Sequence, residues 1–331
     1  MRVAVSGAGG RLGATLVEAL EDAPFTGPFG PIRWRRPDYD LDDPSAAARV
    51  VARDRPEVVV HAAAWADVDA CALDPRLAMR RNAEAAGEMA RACARAGVDL
   101  VLISTNEVFA GDTDPAGGYG PGDPTDPLNP YGASKLAGEE AARAAFAAAG
   151  GLGAEQRGGP LAPDGDPASL PGGRVGGPQL AVVRTAWLFG ATGADFPSRI
   201  LLAAAGARSR GVELSLVADE TGTPTYLVDV AEAIVELLGA GVFAGTHHLV
   251  NGGPTTRAAW AREALAIADV DVPTRDVPQS SFPRASRPPR AAVLLPTPLP
   301  SGEPMRHHAL AMADYAPRLR RWFSSAPGVD R

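Results

Sequence analysis

The feature that most constrains the fold of this chain is the alternation of short apolar runs with amphipathic stretches through its first 185 residues. Residues 2–7 (RVAVSG) form an apolar run that ends in glycine, and residues 11–21 carry apolar side chains at helical spacing. The same pair of patterns recurs up to an apolar run at 180–185, and one long helix is predicted over 75–96. Strands that alternate with helices predict a parallel sheet with helices on both faces. We therefore predict an α/β protein built on a doubly wound parallel sheet.

Composition narrows the class of protein. With 46% hydrophobic and 21% charged residues, the chain is typical of a globular protein and is not disordered as a whole. A net charge of −7 argues against nucleic acid as a partner, because phosphate backbones attract basic surfaces. Cys71 and Cys93 are the only cysteines and form no CxxC pair, which indicates a reducing compartment. No leader pattern and no run of 18 apolar residues is present, so we expect a cytoplasmic protein without a membrane span.

Three glycines stand at the first junction between strand and helix, in the pattern GxxGxxG. Gly7 allows a tight turn, Gly10 lets the backbone approach a pyrophosphate, and Gly13 lets the helix pack closely on the strand. The N-terminus of the following helix offers N–H groups and positive partial charge to the phosphates. These positions predict a Rossmann-type dinucleotide-binding turn.

The choice between NADP and NAD depends on the charge at the end of the second strand. An acid there accepts hydrogen bonds from the adenosine ribose, whereas arginines bind a 2′-phosphate. Arg33, Arg35 and Arg36 lie on or just after the predicted second strand. The first acid after them is Asp38. We therefore predict NADPH as the cofactor, with NADH as the alternative if the arginines only form a solvated cluster.

The rest of the chain is less regular than the first 185 residues. Its predicted elements are helices near 196–207, 227–239, 254–267 and 305–322, and strands at 213–217 and 246–250. We predict that residues 1–185, together with about 212–250, form the NAD(P)-binding domain. Residues 186–211 and 251–331 are predicted to form a smaller C-terminal α/β lobe that binds the substrate. Residues 150–178 hold 10 Gly and 5 Pro, and we expect a flexible insertion there because such a stretch buries too little to offset its ordering entropy.

The strongest local signal is a tyrosine four residues before the only lysine of the chain. Tyr131 and Lys135 follow a proline at the start of a predicted helix, and side chains at i and i+4 share one helix face. With five tyrosines in 331 residues, this spacing arises by chance roughly one or two times in a hundred. A fixed positive charge stabilises a phenolate and brings its pKa towards neutrality. We predict that Tyr131 is a general acid, that Lys135 lowers its pKa and holds the nicotinamide ribose, and that both contact the cofactor.

A pair of hydroxyls, Ser104 and Thr105, closes the predicted strand that begins at residue 99. The carboxyl ends of parallel strands border the ligand crevice, so a hydroxyl there can bond a substrate carbonyl. Together with Tyr131 it would offer two donors to the oxyanion that forms when a hydride reaches a ketone. We choose Thr105 for this role, with Ser104 as the alternative.

These motifs belong to a longer set of segments that resembles the extended short-chain dehydrogenase/reductase superfamily, and within it the dTDP-4-dehydrorhamnose reductases, the RmlD-like family. The segments are GAGGRLG (7–13), DLDD (40–43), HAAAWADVDACALDP (61–75), ISTNEVFAG (103–111), PLNPYGASKLAGE (127–139), VVRTAWLFG (182–190), DETGTPTYLVDVA (219–231) and RASRPPRAAVL (284–294). The resemblance implies a reductase that passes a hydride from NAD(P)H to C4 of a dTDP-linked 4-keto-6-deoxysugar, in dTDP-rhamnose or related carbohydrate biosynthesis. Tyr131 would protonate the new alkoxide.

The same resemblance implies further contacts with cofactor and substrate. It implies that Gly10, Arg11 and Leu12 touch the cofactor phosphates, that Asp40 and Leu41 lie beside the adenine, and that Ala62, Ala63 and Ala64 line the dinucleotide. It also implies that the sugar is contacted by Thr105, Asn106 and Trp187.

Two residues depart from the family pattern. Where the family usually reads STDYVF, this chain reads STNEVF, so Asn106 replaces an acid and Glu107 replaces an aromatic residue. The first change removes a carboxylate beside the substrate, and the second adds a charge. The sugar and the product stereochemistry are therefore the properties open to differ from dTDP-L-rhamnose synthesis, while the acid–base residues are intact.

Two other functions stay open at this stage. A nucleotide-sugar epimerase or dehydratase of the same superfamily would retain NAD, although a dehydratase typically adds an acidic pair where this chain has only Glu107. A non-catalytic NADP-binding subunit, like the regulatory subunit of methionine adenosyltransferase, would keep the fold without turnover. We predict no metal site, since His247 and His248 have no further ligand at suitable spacing. A nucleotide sugar is the expected partner, and a homodimer is left open.

Overall fold

The computed structural model describes residues 1–111, 117–150, 177–241 and 243–326. Most of the predicted insertion at 150–178 lies outside these described residues, so its flexibility stays a prediction. Within the described ranges, no helix has both the length and the apolar character needed to cross a membrane.

Short runs rich in β-branched and other apolar residues form the strands. In the described chain they are β1 (Val3–Ser6), β2 (Ile32–Trp34), β3 (Val58–His61), β4 (Asp99–Thr105), β5 (Leu180–Thr185), β6 (Leu188–Phe189), β7 (Leu214–Val217), β8 (Thr221–Gly222), β9 (Thr225–Tyr226), β10 (Gly245–His248), β11 (Thr255–Thr256) and β12 (Thr274–Val277). One parallel sheet has the order β2-β1-β3-β4-β5-β10. The direction of the chain across the sheet reverses between β1 and β3, and this switch point leaves a crevice outside the carboxyl ends of those strands.

Amphipathic segments between the strands form the helices. They are α1 (Arg11–Glu21), α2 (Ala46–Asp54), α3 (Val68–Leu73), α4 (Pro75–Ala78), α5 (Ala85–Ala96), α6 (Pro130–Ala148), α7 (Phe196–Arg210), α8 (Leu227–Ala240), α9 (Arg257–Ile267) and α10 (His308–Ser325). Helices α1 and α8 pack on one face of the parallel sheet, and α2, α5 and α6 cover the other face. The predicted doubly wound α/β fold is therefore confirmed.

The two faces of the sheet carry separate apolar cores, because successive side chains of a strand point to opposite faces. Val3 and Val5 of β1 pack with α1 and α8, whereas Ala4 between them packs with α2 and α5. β3 and β4 are buried along their whole length. Burial on both faces is the reason why the central strands are continuous apolar runs in the sequence.

The single long helix predicted over 75–96 is wrong in one respect. α4 and α5 are joined by a π-helical segment, Met79–Glu84. Asn82 in this segment is buried, and its side-chain amide donates to the carbonyl of Trp65 at 3.0 Å and to the hydroxyl of Ser134 at 3.1 Å. The wider turn directs a polar side chain into the protein, which helical periodicity in the sequence does not reveal.

The second lobe has a core of its own. Helices α7, α9 and α10 pack around the buried rings of Trp260 and Tyr315, together with the parallel pair β7 and β12. The structure differs here from the predicted boundary at residue 212, because β7 lies in the second core while α8 and β10 join the central sheet. The alternating burial of β7 fits either position, and only its pairing with β12 decides. The rest of the domain assignment stays a prediction.

Candidate active site

The glycine-rich turn between β1 and α1 requires glycine at two of its three positions. Gly7 has a φ of +71°, and a Cβ there would lie 2.8 Å from the backbone nitrogen of Ala63. A Cβ on Gly13 would lie 2.0 Å from the carbonyl oxygen of Gly7, so glycine is what lets α1 pack this closely on the turn. After Gly10, α1 begins with no described side chain capping it and no acid in its first turn. Its N–H groups are therefore available to an anion such as a phosphate.

The arginines predicted to select NADP lie at the edge of the sheet, where β2 ends. Arg33 forms an ion pair with a glutamate of α1, whereas Arg35 and Arg36 are exposed. Arg36 approaches Asp40, with 3.6 Å between Nε and the carboxylate. Leu41 packs against the apolar core under α2 and α5. Two guanidinium groups are thus presented to solvent beside the acid that the resemblance places near the adenine.

A capping asparagine and a proline fix where α6 begins. The side-chain oxygen of Asn129 accepts from the N–H of Gly132 at 2.9 Å, and the proline occupies the first turn. Tyr131 and Lys135 then lie one turn apart on α6, as their spacing predicts. Thr105 ends β4, and both it and Tyr131 line the same cavity.

Burial sets the acid–base properties of this pair. Lys135 is 5% exposed and donates to the carbonyl of Ile103 at 2.7 Å. Burial lowers the pKa of Lys135 to about 8, although the negative charge of Glu139 opposes this shift. Burial and the charge of Glu107 raise the pKa of Tyr131. The sequence predicted that Lys135 lowers the pKa of Tyr131. In the structure the net shift of that pKa is upwards, with burial as its largest cause, and this role of the lysine stays a prediction.

Ser104 belongs to a buried polar network. Its hydroxyl donates to Glu139 at 2.5 Å. Arg184 of β5 donates to both oxygens of the same carboxylate, from Nε at 3.0 Å and from Nη2 at 2.8 Å. Arg143 of α6 adds a fourth hydrogen bond at 3.1 Å. Because this carboxylate engages Ser104, the neighbouring hydroxyl of Thr105 is the one better placed to meet a ligand.

A cavity of about 570 Å³ joins the glycine turn to the tyrosine–lysine pair. The predicted site residues in its lining are Gly10, Arg11, Leu12, Gly13, Ala62, Ala64, Thr105, Asn106, Tyr131, Lys135 and Trp187. The predicted residues outside its lining are Gly7, Arg35, Arg36, Asp40, Leu41 and Ala63. Motifs that are far apart in the sequence therefore meet at one cavity, while the residues predicted for the adenine end lie beyond it.

The residues of this cavity fit a dinucleotide. At one end, the glycine turn and the uncapped start of α1 match a pyrophosphate. At the other end, Thr185 closes β5, is 5% exposed and lines the cavity. Its hydroxyl is buried and has no hydrogen-bond partner among the described residues, although buried hydroxyls are normally bonded. A polar group of a ligand, such as a nicotinamide carboxamide, would satisfy it.

A second cavity of about 460 Å³ adjoins the first, and the sequence did not predict it. Both cavities are lined by Val68, Asn106, Glu107, Trp187, Phe196, Arg199 and Arg257. Arg284 lines the second cavity as well. The three arginines come from α7, from α9 and from the segment after β12, and no spacing in the sequence links them. Only the packing of the second lobe brings them together.

The sequence matches the model of a known protein family over most of its length. The model of the RmlD substrate binding domain matches residues 1–149 and 174–315. The chain belongs to this family. The resemblance drawn from the motifs is therefore confirmed.

Individual relatives of the RmlD family support the same placement. A dTDP-4-dehydrorhamnose reductase of Mycobacterium tuberculosis is 34% identical over 330 residues, which cover 98% of this chain and 90% of that protein. A solved structure of a dTDP-4-dehydrorhamnose reductase from Clostridium acetobutylicum has a TM-score of 0.80 at 25% identity, covering 97% of this chain and 100% of that one. The structure of the Bacillus anthracis dTDP-4-dehydrorhamnose reductase in complex with NADP has a TM-score of 0.74 at 27% identity, covering 98% of this chain and 99% of that one.

Trp187 has an unusual backbone conformation in this member of the RmlD family. Its φ of +36° is rare for a bulky residue. The ring fits against Gly222, where a Cβ would lie 2.4 Å away, and the guanidinium of Arg257 lies 3.6 Å from the ring centre. Packing on both sides therefore maintains a strained backbone, which is typical of ligand sites.

Other polar residues near the cavities have partners within the protein. Asp67 caps α3 by accepting from the N–H of Ala70 at 2.9 Å. Asp69 forms an ion pair with Arg284 at 3.1 Å and accepts from the N–H of Ser286 at 2.9 Å, which ties α3 to the segment that lines the second cavity. Across the part of the chain that the structure describes, no three His, Cys, Asp or Glu side chains are grouped to hold a metal ion.

Proposed function

We propose that this chain is an NADPH-dependent reductase of the C4 ketone of a dTDP-4-keto-6-deoxysugar, a reaction of the dTDP-4-dehydrorhamnose reductase type. The observation that carries the proposal is the meeting of the glycine turn, Thr105, Tyr131 and Lys135 at one cavity, beside a second cavity lined by arginines. Membership of the RmlD family and the names of the relatives support the same reaction.

NADPH would supply the hydride when bound. Gly10 and Arg11, with the N–H groups at the start of α1, would hold the pyrophosphate, and the alanines after β3 would line the dinucleotide. Arg35 and Arg36 would contact the 2′-phosphate, with Asp40 and Leu41 beside the adenine. The NADP complex of the Bacillus anthracis relative supports this choice, and NADH remains the alternative.

The three residues at the nicotinamide end divide the proton chemistry between them. Tyr131 would protonate the alkoxide formed at C4, and its raised pKa keeps the phenol protonated at neutral pH, as a proton donor requires. Thr105 would donate to the same oxygen and stabilise the charge that develops on it. Lys135, with a pKa of about 8, is cationic at neutral pH. It would stabilise the tyrosinate left by proton transfer and hold the nicotinamide ribose.

The second cavity suits the nucleotide half of the substrate. Arg199, Arg257 and Arg284 line it, and planar guanidinium groups bind phosphate oxygens in pairs. Asn106 and Trp187 lie where the two cavities meet and would contact the sugar. With the dinucleotide in the first cavity, a nucleoside diphosphate in the second would place the ketosugar where the two cavities meet.

The proposal is tested with purified protein, NADPH and dTDP-4-dehydrorhamnose. We expect NADPH absorbance to fall in step with formation of a C4 alcohol, identified by mass spectrometry and NMR. dTDP-glucose, which has no ketone, is the control and should cause no oxidation. No oxidation with any dTDP-linked or other nucleotide-linked 4-keto sugar would refute the proposal. Inversion of a sugar carbon with no net oxidation would favour an epimerase instead.

A further inference from the structure

None of the substrate contacts assigned above uses the carboxylate of Glu107, which lies where the two cavities meet. Glu107 belongs to a short 3₁₀ turn, Asn106–Val108, directly after β4. Its side chain lines both cavities, and Tyr131 lines the first of them.

The position of Glu107 is fixed by the start of α6. Asn129 donates from Nδ2 to Oε2 of Glu107 at 2.6 Å, and its own side-chain oxygen caps Gly132 at 2.9 Å. The backbones are close as well, since a Cβ on Gly132 would lie 2.0 Å from the carbonyl oxygen of Glu107. The carboxylate is therefore held in a set position relative to Tyr131, the neighbouring residue of the helix. A group positioned in this way loses little entropy when it binds a ligand.

The carboxylate of Glu107 has no ion-pair partner among the described residues. Burial raises the pKa of Glu107, and the hydrogen bond from Asn129 and the charges of Arg284 and Arg257 oppose this shift. Neither arginine forms an ion pair with it, since Arg257 is paired with Glu220 at 3.2 Å and Arg284 with Asp69 at 3.1 Å. The hydrogen bond from asparagine engages Oε2 only. Oε1 accepts no hydrogen bond from the described residues and is therefore an acceptor open to the cavities.

Charge decides which part of a nucleotide sugar this acceptor can meet. An ionised carboxylate accepts hydrogen bonds and repels phosphate, so the diphosphate belongs with the arginines. In a 4-keto hexose, the C2 and C3 hydroxyls lie between the reacting carbonyl and the carbon that bears the diphosphate. Glu107 lines both cavities, whereas Tyr131 lines only the first and Arg284 only the second.

We propose that Glu107 contacts the substrate and determines its sugar specificity, by accepting a hydrogen bond from the C2 or C3 hydroxyl through Oε1. This inference rests on the proposed function, because it takes the substrate to be a nucleotide-linked 4-keto sugar. A hydroxyl bound to a charged acceptor changes affinity by about 10- to 100-fold, which is enough to select between sugars.

The test compares kcat/KM for the wild-type protein and Glu107→Gln with three substrates: dTDP-4-dehydrorhamnose, its 2-deoxy form and its 3-deoxy form. Glutamine keeps the size of the side chain and an oxygen for Asn129, but it removes the charge. We expect the variant to lose about 10- to 100-fold with the full substrate. With the deoxy form that lacks the contacted hydroxyl, the wild type should lose a similar factor and the substitution should cost nothing more. Glu140→Gln, on the exposed face of α6, is the matched control and should match the wild type.

The outcomes separate this inference from the proposed function. Unchanged kcat/KM in Glu107→Gln, or the same loss with all three substrates, would overturn the inference. The Kd for NADPH, measured by fluorescence, should stay at the wild-type value. If Glu107→Gln does not fold, Glu107→Asp takes its place in the same comparison, because it moves the carboxylate away by one methylene. An inactive wild-type protein would refute the proposed function and this inference with it.

Discussion

Two buried cations, Lys135 of α6 and Arg184 of β5, differ in how the protein accommodates them. Arg184 donates two hydrogen bonds to the buried carboxylate of Glu139, at 3.0 and 2.8 Å. Lys135 lies one turn before Glu139 but donates to the carbonyl of Ile103, and burial lowers its pKa to about 8. The first cation is neutralised by a forked ion pair. The second is desolvated and has no ion-pair partner in the part of the chain that the structure describes.

The difference indicates different reasons for the two charges. A buried charge with a complete set of partners is part of the packing, and removing a partner is costly. A buried charge without such partners destabilises the folded state, so its presence calls for another explanation. For Lys135 that explanation is the cavity it lines with Tyr131. Four predictions test this contrast.

Tyr131→Phe tests whether the cavity that Lys135 shares with Tyr131 is catalytic, and it has the largest expected effect. Removing a positioned general acid should lower kcat for ketone reduction by about 10²- to 10⁴-fold, while the free energy of unfolding changes by less than about 1 kcal/mol. Steady-state kinetics and urea unfolding measure the two quantities. A near-wild-type rate would show that Tyr131 is not the acid.

Glu139→Ala tests whether the buried ion pair between Arg184 and Glu139 stabilises the fold. It leaves Arg184 buried without its carboxylate, so we expect the free energy of unfolding to fall by about 3–5 kcal/mol. Urea unfolding followed by circular dichroism measures this loss. Glu140→Ala, at the next and exposed position, is the control and should change stability by less than about 0.5 kcal/mol. Equal losses in the two variants would contradict the role of the buried pair.

Lys135→Met tests whether the lysine destabilises the folded protein. The pKa of Lys135 is about 8 when folded, against a usual 10.5, so between these pH values the unfolded chain binds the extra proton. The stability of the wild type should therefore gain a contribution that grows as pH rises from 8 to 10.5, by up to about 3 kcal/mol.

Lys135→Met should lack that contribution, and at pH 7 it should be at least as stable as the wild type although its turnover is lost. Unfolding at pH 7, 8, 9 and 10 gives the difference between the two proteins, in which groups common to both cancel. The same pH slope in both would contradict the prediction. Lys135→Arg should also lose turnover, because a planar fork cannot take the place of a compact ammonium group.

The exposed arginines after β2 provide the smallest expected effect. Replacing both Arg35 and Arg36 by Ala should weaken NADPH binding by about fivefold, since exposed charge pairs contribute about 1 kcal/mol or less, and should leave NADH binding unchanged. Fluorescence titration with each dinucleotide measures this. Equal weakening for both dinucleotides would show that these arginines do not read the 2′-phosphate.

The site was predictable from sequence where a local rule governs it. The glycine turn follows from backbone sterics within seven residues, and the Tyr131–Lys135 pair follows from the period of one helix. The position of Thr105 follows from the rule that strand ends border the crevice. In contrast, the interruption of the helix over 75–96 and the pairing of β7 were missed, because both depend on neighbours that are distant in the chain.

By itself, the sequence determined the doubly wound fold, the phosphate turn and the residues expected to move a proton, because each is encoded in spacing along one or two elements. The tertiary structure decided what surrounds them. Packing of the second lobe brings Arg257 and Arg284 to a cavity that Glu107 also lines. Packing of α6 against β4 buries Lys135 with no ion-pair partner among the described residues. Burial and charge pairing depend on contacts across the whole chain, and no local pattern carries them.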